Sequence, residues 1–229
     1  MRFVLSLILV HLAGAWIAAA SPSTDSAPRK VELLTRQSAD GEIAGWKSFH
    51  AEAATKTGAV WMLGPDGVLV CKGTPLGYLY TEQDYTNFVL KLQWRWPPGG
   101  KAGNGGVLIR TMGPNKIWPK SLEAQLNAGQ AGDFWGLVGY ALQGPAERMK
   151  SLENPKFGKL TNVKKTADLE KPVGQWNDYE IVADGERVTL KVNGTVVNEA
   201  TGCEVVPGKI LLTAEGNEIH FRQVELWPK

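Results

Sequence analysis

The chain has 229 residues, 43% of them hydrophobic, with 25 Lys and Arg against 23 Asp and Glu and a formal net charge of +2. So even a balance gives no electrostatic reason to expect nucleic acid or an anionic membrane as partner. Three histidines and two cysteines are too few for a histidine-rich metal centre.

Residues 1–20 read as a cleavable signal peptide: Arg2 is a short positive region, residues 3–17 are apolar, and Ala18-Ala19-Ala20 offers a small-residue cleavage site. This predicts export to the periplasm or the cell exterior. An uncleaved membrane anchor is the alternative, because the run approaches the length of a short spanning helix. No cysteine follows the run to carry a lipid, and nothing beyond Ala20 is apolar enough to span a bilayer. Cleavage removes one charge, Arg2, and lowers the net charge to +1. Residues 21–30 (SPSTDSAPRK) are polar and proline-bearing, so 21–35 is expected to be a flexible leader and 36–229 a single domain.

Strand signals then recur at short intervals, while helical signals are nearly absent. Segments 68–71, 88–94 and 106–110 are rich in β-branched and aromatic residues, and the glycine-rich stretch 97–105 is a loop between two of them. Segment 121–127 (SLEAQLN) alternates strictly, sending Leu122, Ala124 and Leu126 to one face and Ser121, Glu123, Gln125 and Asn127 to the other. With Trp118 before it and Trp135 after it, the polar face suits a sugar, since aromatic faces stack on pyranose rings while amides and acids bond hydroxyls. An ordinary half-buried strand showing polar groups to water is the competing reading. Segment 143–175 breaks the β rhythm, with one possible helical turn at 146–152, and reads as an ordered rim loop. After it, 179–183 turns at Asp184-Gly185, and 187–192 turns at Asn193-Gly194 into 195–197, both strong hairpin signals. Segments 209–213 and 217–226 supply two more strands. About a dozen strands predict an all-β antiparallel sandwich or jelly roll.

Conventional glycoside hydrolysis needs two carboxyls flanking the scissile bond. The alternating strand supplies Glu123 and then two amides, so a second acid must come from elsewhere, with Asp133 and Glu215 as candidates. His50 is expected at the surface. Near the C-terminus, Ile219 and Phe221 share one face, whereas Val224 and Leu226 fall with His220 and Arg222 on the other. Either a bulge shifts the register after Phe221, or both faces are covered and Arg222 and His220 line a groove. Cys71 and Cys203, the only cysteines of an exported chain, are expected to form a disulfide, with two buried free thiols as the alternative.

An ordered set of motifs now resembles a known family. Residues 85–90 (YTNFVL) lead to Trp94-Arg95-Trp96 and to 104–110 (NGGVLIR). LEAQL at 122–126, GQWN at 174–177, VNG at 192–194 and IHFR at 219–222 follow in order. The set is similar to the 3-keto-disaccharide hydrolase family, over about residues 40–228. The resemblance implies a concanavalin A-like sandwich of the lectin and glucanase type. It also implies an enzyme that removes the acidified C2 proton of a 3-keto-glycoside and expels the C1 group by elimination, with water adding back. On that scheme Glu123 is the base, Arg110 or Arg222 steadies the enolate, and Asn104, Gln125 and Asn127 hold hydroxyls. Trp118 or Trp135 offers a stacking platform, and Glu215 and His220 complete the candidate site. No cofactor is required, and a divalent metal is one possible oxyanion partner. Relatives commonly carry Asp where Asn127 stands and His where Glu215 stands. The change either removes a catalytic acid or metal ligand or marks a subfamily in which Glu215 replaces the histidine. A non-catalytic carbohydrate-binding module is the alternative function.

Overall fold

The computed structural model describes residues 29–229, so the expected signal peptide and the first part of the leader lie outside the described residues. Two eight-stranded antiparallel sheets face each other. In the first, β14 (Thr195–Ala200), β13 (Arg187–Val192), β12 (Asn177–Asp184), β6 (Phe88–Arg95), β16 (Ile219–Pro228), β4 (Leu69–Cys71) and β3 (Trp61–Leu63) are neighbours in that order, with β1 (Val31–Glu32) also paired to β16. The second runs β10 (Met149–Asn154), β11 (Gly158–Val163), β9 (Phe134–Leu137), β8 (Lys120–Gln125), β7 (Gly106–Met112), β15 (Lys209–Ala214), β5 (Gly77–Thr81) and β2 (Trp46–His50). The only α-helix among the described residues, α1, is the four-residue Thr57–Val60. None there is long and apolar enough to cross a membrane. The all-β sandwich expected from strand spacing is the observed fold.

Alternation explains which residues meet between the sheets. Leu90, Leu92 and Trp94 of β6 and Tyr179, Ile181 and Ala183 of β12 pack against Val107 and Ile109 of β7 and Leu122 and Ala124 of β8. Burying a side chain of this kind is worth about 1.5–3 kcal/mol, so a one-residue slip in either sheet would lose the core. The turns are local chemistry. Asn193 (φ 49°) and Gly194 (φ 82°) form the two-residue β13–β14 loop, both in the left-handed region that a type I′ turn needs. The β12–β13 loop lies one residue later than expected: Asp184 pairs with Arg187, and Gly185-Glu186 makes the turn.

Four expectations are corrected. Residues 31–35 are not wholly a flexible leader, because β1 pairs with β16 and the Leu33 N–H bonds the Val224 carbonyl at 2.8 Å. Cys71 and Cys203 are buried free thiols rather than a disulfide. Cys71 lies near Glu215 and Glu218, and Cys203 near Arg110, so they sit towards opposite ends of the sandwich. Burial pushes both thiols up to about 12. His50 is buried, not on the surface, with both ring nitrogens unpartnered, and burial lowers its pKa. Finally, segment 143–175 is only partly loop: after a 3-10 turn at Ala146–Arg148, β10 and β11 form a hairpin that extends the second sheet beyond β9.

Candidate active site

The outer face of the second sheet carries the side chains that point away from the core. In β8 these are Ser121, Glu123 and Gln125; register sets Glu123 opposite Leu108 of β7 and Trp135 of β9, and Gln125 opposite Gly106. Here Leu108, Leu137, Leu211 and Tyr78 form a second apolar cluster with Trp118, Trp135 and Leu160 packed against it. A pocket of about 250 Å³ opens in this layer, lined by Asn104, Trp118, Glu123, Gln125, Trp135 and Glu215, with Leu137, Asn154, Phe157 and Leu160 completing the wall. Six side chains expected from the sequence therefore converge. Pockets for small ligands usually span about 300–1,000 Å³, so this one suits a ligand the size of one sugar unit.

Two carboxyls occupy the floor. Glu123 is 7% exposed and lies over Gly106, where any Cβ would collide with its Oε1, so this position must stay glycine for the carboxyl to reach the pocket. The Gly106 N–H donates to Thr213 Oγ1 at 2.6 Å, and that hydroxyl lies 2.7 Å from Glu215 Oε1, to which it donates. Asn104 Nδ2 donates to Glu215 Oε2. Glu215 thus accepts two hydrogen bonds, whereas no described residue donates one to Glu123. Burial raises the Glu215 pKa to about 7, with Thr213 and Asn104 pulling it back. Burial, and then the charge of Glu215, push Glu123 well above the usual carboxylate range. Both carboxyls are thus held above the ordinary range, and the two donors at Glu215 make it the easier of the pair to ionise.

The amides and aromatics are fixed in place. Gln125 Oε1 accepts the N–H groups of Leu126 and Asn127 at 2.9 and 2.8 Å, which leaves its Nε2 hydrogens for a ligand. Trp118 sits at φ 57°, a left-handed conformation rare for a bulky residue, in the loop after β7. Phe157 stands in the β10–β11 turn, where Asn154 Oδ1 accepts the Lys156 and Phe157 N–H groups. The hairpin residues Asn154, Phe157 and Leu160, together with Thr213, were missed from sequence. Asn-Pro and a nearby Gly at 154–158 mark a turn, but the flanking segments alternate too weakly to announce strands.

Five expected candidates lie elsewhere. Arg110 is fully buried and bonds the carbonyls of Thr86, Glu204 and Gly185 and Asn87 Oδ1 at 2.8–3.2 Å. Alternation alone would set it on the pocket face beside Leu108, but a register shift between Ile109 and Met112 and its φ of 50° turn it away. Arg222 and His220 project from the first sheet, on the far side of the core. The bulge reading of that strand is correct: the register shifts between Arg222 and Glu225 at Gln223, and Val224 and Leu226 rejoin the core. Asn127 follows β8 and bonds Gln130 outside the pocket lining, so an Asp there would not have supplied a pocket acid. Asp133 is buried beneath the Lys165 N–H and Asn162, away from the pocket lining.

The pocket has two carboxyls, one already bonded twice by protein, and no group of three His, Cys, Asp or Glu gathers among the described residues.

No curated protein matches the chain. Among solved structures it is similar to a Parabacteroides distasonis ATCC 8503 protein assigned to the glycosyl hydrolases (17% identity, TM-score 0.54, covering 81% of this chain and 89% of that one). It also resembles the carbohydrate-binding module CBM66 from Bacillus subtilis (12%, 0.53, 79% and 94%) and the Bacillus licheniformis β-glucanase (10%, 0.56, 90% and 99%). At such identities these likenesses establish the sandwich fold and nothing finer. Residues 35–226 match the family described as 3-keto-alpha-glucoside-1,2-lyase-like domain, and the chain belongs to that carbohydrate-active family.

Proposed function

We propose that the protein cleaves glycosides whose sugar is already a ketone at C3, with Glu215 as base and Glu123 as acid. The ketone acidifies the C2 hydrogen. The Glu215 carboxylate removes it, and the electron pair enters the C2–C3 enolate, whose oxygen the Gln125 Nε2 hydrogens are free to meet. The enolate then expels the C1 substituent, forming a C1–C2 double bond and restoring the ketone, while protonated Glu123 gives its proton to the departing oxygen. Addition of water resets the pair: ionised Glu123 takes a proton from the water that attacks C1, and protonated Glu215 returns one to C2. The observation that carries this reading is the unequal pair, two donors on Glu215 and none on Glu123. It exchanges the role expected for Glu123, from base to acid. Trp118 and Trp135 supply faces for the ring.

The test is release of aglycone from a 3-keto-glucoside, with C2 hydrogen exchange followed in deuterated water. Glu123→Gln is expected to cut release by about 10²–10⁴ while C2 exchange persists; Glu215→Gln loses both. Exchange lost in Glu123→Gln and kept in Glu215→Gln would reverse the roles. Binding without release by wild type would leave a carbohydrate-binding module. The same two carboxyls also favour a second reading, direct hydrolysis of an unmodified glycoside, for which release from the plain glucoside is the discriminating result. Export after cleavage at Ala20 belongs to the proposal too, and an N-terminus at Met1 in the secreted fraction rejects it.

A further inference from the structure

On the outer face of the first sheet, β6 and β16 bring Arg95, Gln93, His220 and Arg222 into one cluster, with His220 opposite Arg95 and Arg222 opposite Gln93. Trp176, just before β12, joins them: the Arg95 and Arg222 guanidinium carbons lie 4.3 and 4.1 Å from its ring. Each arginine is held at Nε by a neutral acceptor, Arg95 by His220 Nδ1 at 3.2 Å and Arg222 by Gln93 Oε1 at 2.7 Å. The chain of contacts ends in an acid at both ends. His220 Nε2 meets Glu218 at 2.8 Å, and Gln93 Nε2 donates to Asp178 at 2.6 Å.

This arrangement leaves both guanidinium forks without a carboxylate. Eight lysines and Arg187 have an acidic partner among the described residues, whereas Arg95 and Arg222 have none. Glu218 and Asp178 are engaged by His220 and Gln93, and both guanidinium carbons lie within 4.3 Å of the Trp176 ring centroid. Such forks bind oxyanions bidentately, and holding them beforehand removes most of the entropy lost on binding. We infer that this face is a second binding site, distinct from the pocket, for a saccharide bearing carboxylate or sulfate groups. Two forks about one indole favour a ligand with two oxyanions over a single ion. The site touches neither Glu123 nor Glu215, so it stands or falls apart from the proposed reaction.

Tryptophan labelled with fluorine and followed by NMR supplies the test, with the Trp176 signal assigned by Trp176→Phe. The folded full chain is titrated separately with trigalacturonate, a sulfated galactan trisaccharide, cellotriose and inorganic sulfate. A saturable shift of the Trp176 signal is expected with one or both acidic trisaccharides and none with cellotriose. Which acidic sugar acts names the oxyanion. Arg222→Gln should weaken that binding at least tenfold, and Arg222→Lys, which keeps the charge and loses the fork, nearly as much. Glu123→Gln should leave it unchanged. No shift with either acidic sugar, an equal shift with cellotriose, response to sulfate alone, or undiminished binding by folded Arg222→Gln overturns the proposal. Should Arg222→Gln fail to fold, Arg95→Gln replaces it in the same comparison.

Discussion

A single residue, Glu215, carries opposite consequences for stability and for chemistry. Its pKa is raised from 4.5 to about 7, so between those values the folded state binds more protons than the unfolded chain and stability falls as pH rises. Below about pH 4.5 both states hold the proton and the penalty is absent; above about 7 it is complete. Glu215→Gln is therefore expected to melt higher than wild type at pH 8, by on the order of 1–3 kcal/mol, with the gain closing by pH 4.5. Thermal melts across that range check it, and an unchanged or reversed difference at pH 8 contradicts the burial argument. His50 acts in the other sense, since its lowered pKa costs stability as pH falls through the unfolded value near 6.5. It is common to both proteins and cancels in the comparison. The stabilised variant should release no aglycone, because the buried charge that destabilises the fold is the proposed base.

Individual elements decide which side chains meet. Strict alternation in β8 made Glu123 and Gln125 legible; Asn104, Trp118 and Trp135 arrive because their loops and strands border β8, and Glu215 because it follows β15 on the other side of β7. Arg110 was misread for a reason internal to its strand: one bulge in β7 reverses the direction that period-two counting assigns, and no residue type in NGGVLIR announces it. Arg222 and His220 were placed on the correct kind of face but beside the wrong sheet, because alternation reports the face of a strand and not which layer it joins. The β10–β11 hairpin escaped notice because its strands are half-exposed and charged, so the apolar period is faint. That hairpin nevertheless supplies part of the pocket wall. Phe157→Ala is expected to raise KM about tenfold with kcat within twofold, as loss of part of an aromatic contact worth about 1.5–3 kcal/mol implies. A fall in kcat with KM unchanged would instead give Phe157 a part in the chemistry.

At the scale of the whole molecule, the two ends of the sandwich are specialised. The two carboxyls sit at the Gly106 end of β7; Arg110, four residues along the strand and about 13 Å away by strand rise, closes the other end. From the second sheet Arg110 reaches Thr86 and Asn87 before β6, Gly185 in the β12–β13 turn, and Glu204 after β14, all of them borders of the first sheet. One guanidinium thus replaces water for three carbonyls and an amide in a place where nothing else can. Arg110→Met keeps the volume and the apolar stem but leaves those acceptors unpaired, at about 1–3 kcal/mol each if they stay buried. The expected loss is about 3 kcal/mol or more, or roughly 6–12 °C in Tm for a chain of this size. Aglycone release per folded molecule should be unchanged, since Arg110 is turned away from the pocket face and does not line the pocket. Melting and steady-state kinetics on the same preparation separate the two roles. If kcat fell a hundredfold while Tm held, Arg110 would be acting on the enolate after all, and the bulge in β7 would have to open during turnover.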